Sequence, residues 1–356
     1  MSPGAEVMKE RAAIVVVNYC GWRDSIACIK SVLESTEACA RIILIENGSS
    51  DDSLSKLTEW AANSEMVAGS TLAQALLREG LATPAQIRSE CIDLDALALY
   101  PAQQPPLITI VASPKNLGFA GGNNAGMRLA LADPTISHIW LLNNDTIVEP
   151  SALSALLRRL RDRPDAGQCG STVLFLQAQD RVQAFAGARY FATAGIAMHV
   201  GRIFGRRRSV PPALVEHQLA YISGVSLLAT RTFVEKVGLM SEDYFLYYEE
   251  LDWALRGAPE FNLAYAPESI VYHKGGASIG SNRESSKRST LSHIYLERNR
   301  LRITRRFFPE KLQTVRVFML CQMVARLARL QWAGAACLFR ALLELDDAPD
   351  SIRHVG

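Results

Sequence analysis

Three clusters of side chains in this chain combine residue types that could do chemistry. The first is Asn143, Asn144 and Asp145, which end the apolar run Ile139 to Leu142. A carboxylate there could ligate a hard divalent cation, with an amide oxygen or a hydrogen bond to a sugar hydroxyl beside it. The second is Glu249, Glu250 and Asp252, preceded by Tyr244, Phe245 and Tyr247 and followed by Trp253 and Arg256. Acids beside aromatic faces combine a general base with surfaces on which a sugar ring can stack. The third is His273 with Lys274, where an imidazole could ligate metal while the ammonium faces phosphate. Each cluster also has a purely structural reading: a helix cap, favourable charge at a helix N-terminus, and a packed histidine.

The elements that must hold these residues follow from hydrophobic periodicity. Ala13 to Val17 form an apolar, β-branched run that ends in Asn18 and Tyr19, the pattern of a strand buried on both faces. A helix is expected from about Asp24 to Glu34. A second strand, Arg41 to Ile45, breaks at Glu46 into the turn residues NGSSDDS. Glu46 suits either a solvated loop or an acceptor for ribose or base donors at a strand end. A third strand, Leu107 to Ala112, runs into SPKNLGFAGGNNAG and a helix through Met127 to Leu131. Gly118, Gly121, Gly122 and Gly126 could let backbone amides approach a phosphate or nucleotide, or could simply make a tight turn. Their spacing is not that of the dinucleotide fingerprint GxGxxG. After Asp145 a helix is expected with Pro150 near its first position and Leu153, Leu156, Leu157 and Leu160 on one face.

Residues 63 to 106 interrupt this alternation with short helical pieces and a proline-rich exit, and read as a surface excursion between two strands. Beyond Pro164 the pattern is less regularly α/β: STVLFL, RVQAFAGARYF and AYISGVSLLAT read as strands and turns, with four arginines between Arg202 and Arg208 suited to solvent or to an anionic acceptor. AYAPESIVYHKGG is a strand ending at His273.

Composition sets the outer limits. A chain of 356 residues, 49% hydrophobic, can bury one large core or two smaller ones. A formal charge of +2 gives no global argument for nucleic acid. Seven cysteines without a CxxC pair fit reduced thiols in a cytoplasm. Neither a signal peptide nor an apolar stretch of membrane-spanning length is evident, so a cytoplasmic protein is expected.

Seven blocks in order, VVVNYCGWRDSIACIKSV, LIENGSSDDS, NLGFAGGNNAGM, WLLNNDT, ISGVSLLATR, FLYYEELDWALR and VYHKGGAS, resemble a family 2 glycosyltransferase of the GT-A fold, most closely the bacterial rhamnosyltransferase-type members that build surface polysaccharides. The resemblance covers most of residues 13 to 306. It implies a Rossmann-like, mostly parallel sheet flanked by helices, with a GT-A catalytic domain over 1–288. Within it the nucleotide-sugar half is about 13–150 and the acceptor half about 151–288. It places Asn18, Tyr19, Glu46, Asn116, Gly118, Gly121, Gly122, Asn123, Asn143 and Asn144 around a nucleoside-diphosphate sugar, dTDP- or UDP-linked. Asp145 becomes the metal-binding end of a DxD-like motif whose first position here is Asn143, which gives His273 more weight as second ligand to Mg or Mn. The base position of the family falls on Glu250, with Asp252 and Glu249 as alternatives, and Tyr247, Trp253 and Arg256 would meet the acceptor. The expected reaction inverts the anomeric centre. The QxxRW signature of processive synthases is missing, which implies transfer of one sugar to a glycan or lipid-linked acceptor.

From about Ser289 the chain is helical and basic, with Arg298, Arg302, Arg305 and Arg306 at helical spacing before the apolar VRVFMLCQMVARLARLQW. This region, 289–356, docks on the inner face of a membrane, forms a homodimer interface, or packs against the catalytic domain. Two other functions fit the same residues: a non-catalytic nucleotide-sugar-binding protein and a nucleotidyltransferase.

Overall fold

A computed structural model describes residues 10–36, 41–99, 105–201, 209–275 and 290–343. The arginine loop at 202–208 lies outside the described residues. The first half alternates strand and helix: β1 (Ala12–Asn18), α1 (Trp22–Leu33), β2 (Arg41–Asn47), then α2 (Ser53–Ala61), α3 (Ser64–Ala68) and α4 (Thr71–Arg78). It continues with β3 (Ser89–Asp93), β4 (Ile108–Ser113), α5 (Gly118–Leu131), β5 (His138–Asn143), β6 (Thr146–Val148) and α6 (Ala152–Asp162). The second half opens with strands, β7 (Ala166–Phe175), β8 (Ala178–Phe185), β9 (Gly187–Phe191) and β10 (Ile196–His199), followed by α7 (Pro212–Glu216), β11 (Tyr221–Ile222) and β12 (Ser226–Thr230). Helices α8 (Arg231–Val237) and α9 (Glu249–Gly257) precede β13 (Asn262–His273). Three helices close the described chain: α10 (Thr290–Phe307), α11 (Leu312–Ala328) and α12 (Trp332–Leu342).

Ten strands form one sheet in the order β3-β4-β2-β1-β5-β12-β7-β13-β6, with β8 added on β7. From β3 to β5 every neighbouring pair is parallel. Strand β12 then runs antiparallel between β5 and β7. The apolar run of β1 is buried from Ala12 to Val16, and half-buried at Val17, because helices cover both faces of the sheet. Ile14 and Val16 join the core on one face, Ala13 and Val15 that on the other, as the two-residue period of a strand requires. A separate three-stranded sheet, β10-β9-β11, is formed within the second half.

Two local expectations are corrected. The excursion after residue 63 is not wholly outside the sheet, since β3 pairs in parallel with β4 and extends its edge. The polar cluster at Asp145 is not followed directly by a helix: β6 intervenes, and α6 starts at Ala152, two residues beyond Pro150. That three-residue strand pairs antiparallel with β13 and sets Thr146 opposite His273. The register therefore brings Asp145 beside a histidine more than a hundred residues away.

Candidate active site

The C-terminal ends of β1, β2, β4 and β5 face one crevice, the place where open α/β sheets bind ligands. A chain of side chains lines it. Asn144 Nδ2 donates to Ser25 Oγ at 3.0 Å, and Ser25 donates on to Asn18 Oδ1 at 2.7 Å. Asn18 Nδ2 reaches Ser49 Oγ at 3.3 Å and Glu46 Oε1 at 3.5 Å, while the Ser49 amide donates to the same Glu46 oxygen at 3.0 Å. Glu46 is thus a buried acceptor and not a solvated loop acid. Tyr19 follows directly on β1, half-buried beside this network.

A second knot forms where β2 and β4 end. Asn47 donates to Asn116 Oδ1 at 3.1 Å and accepts from the Leu117 amide at 3.1 Å, and Asn116 accepts from Gly118 N at 2.8 Å. Gly118 has φ +73°, and an added Cβ would lie 2.5 Å from the Phe245 carbonyl oxygen, so the position tolerates only glycine. The next amide, Phe119 N, donates to that carbonyl at 3.0 Å, which ties the glycine segment to the aromatic stretch before α9. Gly121 and Gly122 belong to α5 and do not form an open loop. A Cβ on Gly122 would strike Val17, so close packing of α5 on β1 explains that glycine. Asn123 is buried and returns its amide to Phe119 O at 2.9 Å.

Asp145 and His273 meet as the β6–β13 register demands. His273 Nε2 lies 3.0 Å from Asp145 Oδ1, and Nδ1 donates to Gln183 Oε1 at 2.9 Å. Gln183 thereby turns Nε2 toward the carboxylate, the way an outer partner orients a metal-binding imidazole. Burial by itself raises the Asp145 carboxyl, but the hydrogen bond and charge of His273, with Lys274 behind, outweigh it and hold the group below its ordinary value. Lys274 pairs with Asp24 at 3.0 Å. Among the described residues no three His, Cys, Asp or Glu side chains cluster around one point. One carboxylate and one imidazole suit Mn better than Mg, whose shell is oxygen; either ion would complete its coordination with phosphate oxygens and water. Asn143, half-buried at the end of β5, lies next to this pair in the chain.

A cavity of about 450 Å³ opens between residues of β7–β13 and the C-terminal helices, with His273, Glu250, Tyr247, Tyr221 and Ser223 on its wall. Glu250 Oε1 accepts the Gly224 amide at 3.0 Å. A Cβ at Gly224 would sit 2.7 Å from that oxygen, so glycine is what lets the backbone reach the carboxylate. Burial pushes the Glu250 carboxyl up, and the backbone amides of Glu250 and Gly224 oppose the shift only in part. Its neighbour Glu249 is also buried and pushed up, by burial and then by the charge of Glu250, and its Oε2 has no hydrogen-bond partner. Tyr247 and Tyr248, with φ +71° and +74°, are consecutive non-glycine residues in the left-handed region immediately before α9. Such strain persists only where surrounding contacts over-determine it. Asn299 of α10 donates to the Leu246 carbonyl at 2.8 Å and to that of Tyr247 at 3.3 Å, and Tyr247 Oη lies 2.6 Å from Ser292 Oγ.

The remaining residues of α9 serve the fold. Asp252 is fully buried, with Oδ1 accepting Arg256 Nε at 2.7 Å and Oδ2 near Tyr244 Oη at 3.1 Å and Arg306 Nη1 at 3.0 Å. Both of its oxygens are committed, which removes it as an alternative base. Arg256 spends its other nitrogens on the Val237 and Leu239 carbonyls, and Trp253 is buried with its indole N–H on the Gly238 carbonyl. Neither faces the cavity, so the acceptor contacts expected of them are not what they make. Asp252→Asn should cost about 3 kcal/mol, chiefly because the largely buried Arg256 loses its anion, the half-exposed Arg306 losing less. A urea midpoint shifted by that amount, with activity per folded molecule retained, is the expected result.

Ser25, Ser49, Gln183 and Gly224 were not singled out by sequence reasoning. Ser49 lies within the turn cluster after Glu46 and Gly224 within ISGVS, whereas Ser25 and Gln183 carry no local signal at all.

A family model described as "Glycosyltransferase like family 2" matches residues 96–316. The chain belongs to this family. Its fold agrees: the crystal structure of GalNAc-T7 with UDP, GalNAc and Mn2+ aligns at a TM-score of 0.53 and 15% identity, covering 83% of this chain and 48% of that one. The mannosyltransferase PcManGT from Pyrobaculum calidifontis, in complex with GDP-Man and Mn2+, aligns at 0.52 and 13% identity, covering 96% of this chain and 89% of that one. This family 2 chain therefore spans about half the length of GalNAc-T7 and nearly all of PcManGT. No curated protein matches it in sequence.

Proposed function

We propose that the protein transfers a single sugar, rhamnose or another hexose, from a dTDP- or UDP-linked donor to a glycan or lipid-linked acceptor of surface polysaccharide, with inversion at the anomeric carbon. The observation that carries this reading is the placement of Glu250 and His273 on the wall of one cavity, with Asp145 against the histidine and the Asn18–Glu46 network on the donor side. The Asn18, Ser49 and Glu46 groups hold the nucleoside, and the Asn47–Asn116 knot fixes the segment above it.

Glu250 is the base. It takes the proton of an acceptor hydroxyl as that oxygen bonds to the anomeric carbon, while the bond to the β-phosphate oxygen breaks on the opposite face and nucleoside diphosphate departs. Asp145 and His273 would hold a divalent cation, which when bound supplies charge stabilisation to the leaving diphosphate. Tyr247 offers a ring at the cavity wall for the acceptor sugar.

The family membership supports sugar transfer over nucleotidyl transfer, and a base on the acceptor side supports catalysis over mere binding. Incubation with dTDP- and UDP-sugars, with and without Mn, tests the reading. Slow release of nucleoside diphosphate that depends on the cation is expected. Release of pyrophosphate, or donor binding with no turnover under any acceptor, would replace this function with one of the other two.

A further inference from the structure

Helix α10 joins the C-terminal region to the catalytic half, but α11 and α12 turn a second face outward. Leu301 of α10, Val315 and Met319 of α11, and Leu338 and Ala341 of α12 form one small core. On α11 the opposite side carries Val317, Leu320 and Val324, spaced three, four and seven residues apart and all exposed. On α12 the outward side carries Trp332 and Phe339, again exposed and seven apart. Leu330, in the turn between the two helices, is 71% exposed and Trp332 is 64% exposed, values that no core-packing role explains. Among the described residues no helix is long and apolar enough to cross a membrane.

We infer that the outward face of α11, the turn at Leu330 and α12 form an interfacial docking surface for an anionic lipid bilayer. Charge decides between a bilayer and a second copy of the chain. Residues 290–343 hold ten arginines and lysines against two glutamates, in a chain whose total charge is only +2. Glu297 is taken up by Arg300 and Arg326, and Arg306 of α10 pairs with Asp243 and Asp252, so the positive balance of the outward face itself comes from Arg316, Arg329 and Arg340, with no acid on α11, the turn or α12 among the described residues. Exposed Arg329 directly precedes Leu330, and in sequence Arg316 adjoins Val317 and Arg340 follows Phe339, so cationic residues alternate with the apolar ones, the pattern of an interfacial surface in which the apolar neighbours enter the acyl boundary. Two copies meeting through this face would bring like charges together, whereas an anionic leaflet attracts each cation near it. An exposed tryptophan beside a turn is also the side chain best suited to the headgroup level.

The inference rests on the surface alone and needs no sugar donor. The intact protein should float with vesicles containing phosphatidylglycerol, bind vesicles of phosphatidylcholine alone far more weakly, and be released by high salt. The Leu330→Asn/Trp332→Ser variant, which keeps a side chain tolerant of the left-handed backbone at 330, should lose vesicle binding by roughly tenfold or more. Its circular-dichroism melt and its nucleoside-diphosphate release in solution should be unchanged. Failure of the intact protein to bind phosphatidylglycerol vesicles overturns the inference. So does a dimer in light scattering that the double variant converts to monomer without loss of vesicle binding, because the face would then belong to a second copy.

Discussion

Replacing Glu250 by Gln should lower kcat by roughly a hundred- to ten-thousand-fold, the range that a positioned general base contributes. Gln keeps the size of the side chain and one oxygen to accept the Gly224 amide, so the helix and the cavity wall remain intact. Donor affinity should therefore change little, and nucleoside-diphosphate binding by calorimetry together with single-turnover rates separates the two quantities. The same carboxyl predicts the pH profile of the unaltered enzyme. Burial raises it above the ordinary glutamate value, so the active carboxylate is lost as pH falls through that raised value. The acidic limb of kcat/KM should accordingly lie above the range of a solvated carboxylate and vanish from the residual rate of Glu250→Gln. Residual turnover near the unaltered level would move the base elsewhere.

Asp145→Asn and His273→Ala are expected to produce the second large effect, on the order of a thousandfold in kcat/KM, about 4 kcal/mol, the scale of charge stabilisation that a cation gives a leaving diphosphate. The two variants should behave alike in one further respect. Mn should strengthen nucleoside-diphosphate binding to the unaltered protein and leave binding to either variant unaffected, as read by titration calorimetry with and without the cation. A variant that keeps full Mn dependence would exclude its residue from the cation site. In Asp145→Asn the histidine loses its anionic neighbour but keeps Gln183, so the ring stays in place and the loss reports on the ligand and not on a collapsed strand end.

Much of the sheet was legible because buried parallel strands declare themselves as continuous apolar runs, and β1, β2, β4 and β5 all do so. Strand β6 was not, since three residues carry no period, and with it went the reason Asp145 meets His273. Gln183 was hidden for a related cause: its relation to His273 exists only through strand pairing over ninety residues. The α9 residues show the converse. Glu249, Asp252, Trp253 and Arg256 fall at positions i, i+3, i+4 and i+7, one stripe of a helix, and the structure uses that stripe for packing and buried polar pairing. Glu250 stands one residue off the stripe and faces the cavity. Residue type alone marks all five as candidates, and helical phase separates Glu250, on the cavity wall, from the four that pack.

The strained tyrosines before α9 bear on where this molecule can be divided. The carbonyls of Leu246 and Tyr247 are held by Asn299, the Phe245 ring stacks on Tyr295 at 4.9 Å, and the second oxygen of Asp252 is paired with Arg306, all three partners being on α10. These contacts cross the expected boundary near residue 288. Because α10 holds the left-handed backbone that leads into α9, a displacement of the C-terminal helices would be transmitted to the first turn of the helix that carries Glu250.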